Sequence, residues 1–332
     1  MEPLIEVEHV SRLFRTGGGW LRGARDLRAV DDVSLAIAPG STVALVGESG
    51  SGKSTLGRLL LRLVPPSSGA VRYRGRDVAS LRGEDWRSFR REVQVVFQDS
   101  GAAFNARKTI GASLQVPLRY NVGLRGRQLR ERAAALLDQV GLDPAVYLDR
   151  YPHELSGGQR QRVGVARAMA SEPQFVVADE PVSALDVSVR AHVLQLLRDL
   201  QRQSPELAYL FITHDLGVVR AVADQVQVMY LGAIVERGPV AALFGAPGHP
   251  YTRALLAATP VPEPGRRKLT TALRGDIPTA TDVPGGCRFH TRCPLAQAVC
   301  RETSPPWVAF DDGVESACHF ATDVRHLSPA DG

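Results

Sequence analysis

The 332-residue sequence predicts an α/β fold with a parallel sheet, on three observations. The apolar run Thr42-Val43-Ala44-Leu45-Val46 reads as a strand buried on both faces, and it breaks at once into a glycine-rich turn. Phe175-Val176-Val177-Ala178 is a second such run and ends in two carboxylates, Asp179 and Glu180. Between and after these runs, strand and helix patterns alternate to about Gly238, the arrangement that crossover helices on a parallel sheet require.

In chain order, Ile5-Glu6-Val7-Glu8 and Val33-Ser34-Leu35-Ala36-Ile37 alternate with period two, so residues from Leu4 to about Pro39 predict an antiparallel subdomain. From Lys53, the residues Leu56, Leu59, Leu60 and Leu63 have helical spacing, which stops before Pro65-Pro66. A mostly helical insertion is predicted between about Ser100 and Glu154; within it Leu129 to Leu137 is helical and Gly141 is a stop. Leu155-Ser156-Gly157-Gly158-Gln159 opens a helix through Val163, Ala166 and Met169, with Ser156 as its N-cap. Tyr209-Leu210-Phe211-Ile212-Thr213 is a further strand, followed by His214. No internal repeat is evident.

The chemistry begins at Gly47-Glu48-Ser49-Gly50-Ser51-Gly52-Lys53-Ser54-Thr55, placed between strand and helix. Glycines let backbone N–H groups wrap phosphates at a helix N-terminus, where the helix dipole also favours negative charge. Lys53 is positioned to reach the β- and γ-phosphates, and the Ser54 hydroxyl to sit on Mg²⁺. Asp179 is the acidic partner at that metal, and Glu180 the general base that orients and polarises water. Ser156 with Gly157 and Gly158 forms a second phosphate-binding helix start, one more than a single nucleotide needs.

With these motifs in this order, the chain resembles the ATPase subunit of an ATP-binding-cassette transporter over roughly Leu4 to Leu243. The resemblance implies a P-loop NTPase cassette with an antiparallel β subdomain and a helical subdomain at about 100–170, ATP and Mg²⁺ as cofactors, and two cassettes packed head to tail. Ser156, Gly157, Gly158 and Gln159 would then cap ATP held by the partner cassette. Gln98 matches the glutamine that contacts Mg²⁺ and water and links to the membrane subunits; it joins Ser54 and Asp179 as a metal contact. Asp186, in Ser183-Ala184-Leu185-Asp186, matches the loop crossing the dimer interface. His214 matches the residue that senses the γ-phosphate, and Phe14 the aromatic that stacks on adenine, with Trp20 its rival. Asp99-Ser100 and Asn105-Ala106 depart from the pattern by lacking two prolines, which frees the backbone where membrane subunits are engaged.

No stretch approaches the ~20 apolar residues that cross a bilayer, and Met1 to Glu6 has no apolar signal region. The expectation is a peripheral protein on the cytoplasmic face of the membrane. The net charge of +5 decides little.

All four cysteines, Cys287, Cys293, Cys300 and Cys318, fall in the last fifty residues, after the linker Thr259-Pro260-Val261-Pro262-Glu263-Pro264. Spacings of five, six and seventeen residues are too loose for paired zinc knuckles, while four thiols suit a [4Fe–4S] cluster. Zn²⁺, with His290 or His319 replacing a thiolate, and reduced buried thiols are the alternatives. A cluster here implies no redox function; it serves as a staple for a tail too small to fold alone. Residues 244–332, with His249 to Leu256 and the segment 287–318, resemble the extension of oligopeptide and dipeptide importer ATPases, against a cassette of 1–243.

That resemblance implies two transmembrane permease subunits, a second ATPase (a paralogue or a second copy), an extracytoplasmic peptide-binding protein in the complex, and no nucleic acid. Close relatives serve nickel, glutathione or other small solutes, so cargo rests on the tail. Ribosome- and DNA-acting cassettes carry a second cassette or long coiled coils in one chain, and neither pattern occurs here. A purely regulatory cassette does not fit the full set of Lys53, Asp179, Glu180 and His214.

Overall fold

The computed structural model of the chain describes residues 2–17, 25–98, 104–259 and 278–327. Trp20, Asp99, Ser100 and the linker prolines Pro260, Pro262 and Pro264 lie outside them. The chain packs as two compact units: one takes in the segment up to Glu6, Ala36–Thr42 and Arg72–Ile212; the other takes in Val7–Leu35, Val43–Val71 and the chain from Thr213 onward.

In the first unit the strands Val93–Val96, Phe175–Asp179 and Ala208–Thr213 are parallel, with Val93 opposite Phe175 and Phe175 opposite Ala208. Phe175 to Ala178 and Ala208 to Ile212 are buried throughout, as continuous apolar runs require. The insertion is helical, as expected: Ile110–Pro117 runs into a wider turn at Leu118–Val122, and Arg127–Gln139 follows. The latter buries Leu129, Ala133, Leu136 and Leu137, and the chain leaves it through Gly141 at φ 69°. At the departure Asn105-Ala106 the turn closes without a proline, because the Asn105 side chain accepts the Arg107 N–H at 2.9 Å.

In the second unit Thr42–Val46 lies parallel to Gln225–Tyr230, and Ala233–Pro239 follows antiparallel. The helix after the glycine turn is shorter than its leucine spacing suggested, spanning Lys53–Leu60 with Leu63 exposed. In the expected antiparallel subdomain Ile5–Thr16 lies between Arg25–Ile37 and Ser68–Tyr73, so a later strand joins the two read from the sequence.

The tail departs most from expectation. Instead of a small body held by its own staple, it adds strands Glu315–Ala317 and Trp307–Ala309 to the sheet, with Ser316 paired to Glu236. Its Phe289 and Val314 join Val46, Val228, Tyr230 and Tyr251 in one core, against which Cys287 and Cys293 pack. The physical reason is area: a short segment that cannot bury enough apolar surface alone does so by completing a larger core.

The joint encloses one carboxylate. Glu236 is fully buried and accepts N–H groups from Gly248 and His249. Burial pushes its pKa up to about 7 despite those donors. A group raised in the folded state contributes its stability below the unfolded pKa and loses it as pH climbs through the folded one. Thermal unfolding should therefore show stability falling between about pH 4.5 and about pH 7, and Glu236→Gln should flatten that slope.

Candidate functional site

The glycine turn forms a cradle in the second unit. Gly47 (φ 151°) and Gly52 (φ 106°) are held where a Cβ would meet the Met229 carbonyl oxygen at 2.2 Å and that of Ala29 at 2.1 Å, so only glycine fits. Lys53, 6% exposed, donates from Nζ to the Gly47 and Glu48 carbonyls at 2.7 and 2.8 Å. The Ser51 carbonyl accepts the Gly232 N–H at 2.9 Å. The loop thus keeps its ammonium at its centre, where phosphate charge would lie.

Two side chains that sequence reasoning did not select hold this loop. The Glu48 N–H donates to the Tyr251 hydroxyl at 2.8 Å. The Glu48 carboxylate receives both ends of the Arg292 guanidinium, at 2.7 and 3.0 Å. Arg288 likewise binds Asp31 Oδ2 and the Leu231 carbonyl, each at 2.6 Å. Burial works against the Asp31 charge, but Arg288 holds its carboxyl below the usual range. The signal in the sequence was the resemblance of His249 to Leu256 and of the segment 287–318 to the importer extension, which named these residues but not their partners.

Phe14 and His214 belong to the same unit. Phe14 is half-buried on the strand Ile5–Thr16, with the Arg12 guanidinium 4.6 Å from its ring centre. His214 is exposed at the end of Ala208–Thr213, just before the helix that Asp215 caps.

The other candidates lie in the first unit. Asp179 ends its strand, and Gln98 Nε2 donates to Glu180 Oε2 at 3.0 Å. Glu180 sits at φ 47°, a left-handed conformation that a non-glycine residue adopts at a cost of order 1–3 kcal/mol. Its N–H is tied to the Ile212 carbonyl at 2.9 Å, which helps hold it there. Asp186 is exposed as the N-cap residue of the helix Val187–Gln203.

Ser156 caps the helix Gly157–Met169 as expected, in a reciprocal pair with Gln159. The two glycines differ, however. Gly157 is exposed, whereas Gly158 is buried where a Cβ would meet Val189 Cγ1 at 2.3 Å. Gly158 therefore serves close helix packing, while Ser156 and Gly157 are the exposed residues of the helix start.

Cys287, Cys293, Cys300 and Cys318 are free thiols lining one cavity of about 10 Å³, the size of a single water. Burial pushes Cys293 up to about 11 and Cys318 up to about 12. His290 and His319 bond the carbonyls of Cys287 and Thr303. Among the described residues no three His, Cys, Asp or Glu side chains stand where they could hold a metal ion. As arranged, the thiols enclose too little space for the expected [4Fe–4S] cluster and present no ligand set for its alternative, zinc.

A strand, a glycine cradle and a lysine folded into it belong to the phosphate-loop nucleotide-binding cassettes, and the comparisons agree. Residues 30–183 match the ABC transporter family, and residues 235–300 the C-terminal region of oligopeptide/dipeptide transporters. A probable peptide ABC transporter ATP-binding protein of Sinorhizobium fredii is 47% identical, covering 99% of this chain and 94% of that one. The di/tripeptide transport ATP-binding protein DppF of Pseudomonas aeruginosa is 45% identical over 97% and 98% of the two chains. The dimeric post-hydrolysis ATP-binding cassette MJ0796, bound to ADP and Pi, overlays with a TM-score of 0.63 at 27% identity, covering 71% of this chain and 98% of that one. The chain belongs to the ABC transporter family, as an ATP-hydrolysing subunit with the oligopeptide/dipeptide-type C-terminal region.

The contrast at the start of the helix Gly157–Met169 gives a measurable outcome. Gly158→Ala should cost about 1–3 kcal/mol by overpacking against Val189. Gly157→Ala, whose nearest neighbour would be Leu185 at 3.7 Å, should leave the unfolding midpoint nearly unchanged.

Proposed function

We propose that this chain energises the uptake of di- and oligopeptides, hydrolysing ATP at the cytoplasmic face of the membrane for two transmembrane permease subunits. It would work with a second cassette, either a paralogue or another copy, and with an extracytoplasmic peptide-binding protein that delivers cargo. The observation that carries the reading is the C-terminal region: residues 235–300 match that of oligopeptide/dipeptide transporters, and relatives named for peptide transport align over nearly the whole chain. No described helix is long and apolar enough to cross a membrane, which suits a subunit whose pathway is built by others.

In this reading residues Gly47 to Thr55 cradle the phosphates, with Lys53 on the β- and γ-phosphates and Phe14 against adenine. Ser54, Asp179 and Gln98 would hold Mg²⁺, which supplies charge neutralisation on the phosphates. Glu180 takes a proton from the attacking water, and its bond from Gln98 supports that aim by fixing the carboxylate. His214 would sense the γ-phosphate. Ser156 to Gln159 would close over the partner's nucleotide, with Asp186 at the interface. Glu180→Gln should retain ATP binding while kcat falls by roughly 10²–10⁴-fold, leaving a long-lived closed dimer. Near-normal turnover would remove Glu180 as the base.

The four cysteines carry a finer reading. Four thiols on one cavity are an all-sulfur donor set of the kind a [4Fe–4S] cluster takes, and this reading requires the segments around the cavity to stand further apart with the cluster bound than they do here. Protein purified without oxygen is expected to contain about four irons and four sulfides per chain, lost on Cys293→Ser. Stoichiometric zinc without sulfide would replace the cluster by zinc, and absence of both would leave a cavity of packed thiols.

A further inference from the structure

Every polar group of Glu48 is committed, and two of its partners, Tyr251 and Arg292, come from the tail. Its carbonyl accepts Lys53 Nζ at 2.8 Å, its N–H goes to the Tyr251 hydroxyl at 2.8 Å, and its carboxylate is gripped at both oxygens by Arg292. Arg292 is no surface arginine, since its side chain is 4% exposed and Glu48's 22%. It lies 5.9 Å from the Tyr230 ring centre, beside a cluster in which Tyr230, Tyr251 and Phe289 meet at 4.7 to 5.4 Å. A bidentate guanidinium–carboxylate pair fixes direction as well as distance, and burial spares it solvent screening. Phe289 and Arg292 flank His290 and Thr291 in the cysteine segment, so the core that seats the tail also seats the guanidinium.

The pair has a charge consequence too. Glu48 is an anion in a loop built to receive a polyphosphate, and like charges at short range repel. Arg292 compensates that carboxylate and draws it to the tail side. Tyr251 removes one N–H from the loop's free donors and so fixes the chain just after Gly47, which is itself pinned against the Met229 carbonyl.

We infer that Arg292 is a positioning residue for ATP: by holding Glu48 it sets the phosphate loop in its nucleotide-receiving form, so the C-terminal tail tunes nucleotide affinity. The inference rests on the phosphate-loop assignment above. By reciprocity, nucleotide binding stabilises the tail's attachment by the same free energy.

The test uses the full chain, with ATP as the probe and the ATP KM, the kcat, the Kd and the unfolding midpoint as readouts. Arg292→Ala should raise the Kd and KM for ATP by about tenfold, the scale of one lost charge-assisted pair, with a much smaller change in kcat. Arg292→Lys should recover part of the affinity, since it restores charge without the fork. The double variant E48Q/R292A should bind ATP more tightly than Arg292→Ala alone, because the uncompensated carboxylate is gone. Hydrogen exchange across residues 287–293 should slow when ATP is added to the native chain, and Glu48→Gln should abolish that protection.

An ATP Kd for Arg292→Ala within twofold of native would overturn the inference. So would a Kd that rises as the unfolding midpoint falls yet is not improved in E48Q/R292A, since that pattern belongs to a plain strut. If Arg292→Ala does not fold, Arg292→Lys and Glu48→Gln carry the same comparison. Unchanged ATP binding in Lys53→Ala would instead bring down the loop assignment, a failure separable from that of the clamp.

Discussion

The close backbone approach at Gly47 and Gly52 is the constraint from which the rest of the second unit follows. Each glycine stands within 2.2 Å, at its virtual Cβ, of a carbonyl oxygen from another strand, Met229 or Ala29. No other residue type enters that space, and both positions also need positive φ. The turn after Val46 is therefore registered against Gln225–Tyr230 and Arg25–Ile37 rather than hanging free. Lys53, which would be costly to bury unpaired, is buried because the carbonyls of Gly47 and Glu48 face inward to receive it.

The tail then becomes part of the loop's surroundings. Its strands extend the sheet beside Ala233–Pro239, its Phe289 enters the core, and its arginines reach Glu48 and Asp31. The buried Glu236 marks how closely the joint is packed, since it retains two backbone donors but not enough to keep its ordinary pKa. An ATPase in which the C-terminal region touches the phosphate loop has a physical route by which that region influences nucleotide binding. The charge logic is conventional, with Arg292 facing Glu48 and Arg288 facing Asp31.

In the first unit the same economy appears at the start of the helix Gly157–Met169 and at the end of the strand Phe175–Asp179. Gly158 yields its side chain so that Val189 can approach, while Ser156 and Gln159 satisfy the helix start between them. Glu180 keeps a strained backbone beside Ile212 and receives Gln98. Strain at a residue proposed to act as a base is consistent with a carboxylate whose aim matters more than its comfort.

Local chemistry was legible in the chain itself. The strands at Thr42–Val46 and Phe175–Asp179, the cap at Ser156, the cradle of Gly47 to Thr55 and the acid pair follow from short-range rules: period, turn conformation and helix-end hydrogen bonding. What tertiary structure decided is everything joined across long sequence separations. Arg292 and Tyr251 meet Glu48 across more than two hundred residues, Gly158 is buried by Val189, and the tail joins the sheet through Ser316 rather than standing on its cysteines. Side-chain type and local spacing encode which bonds a residue is able to make. Which partner it makes them with is set by packing of the whole core, and no short-range pattern carries that information.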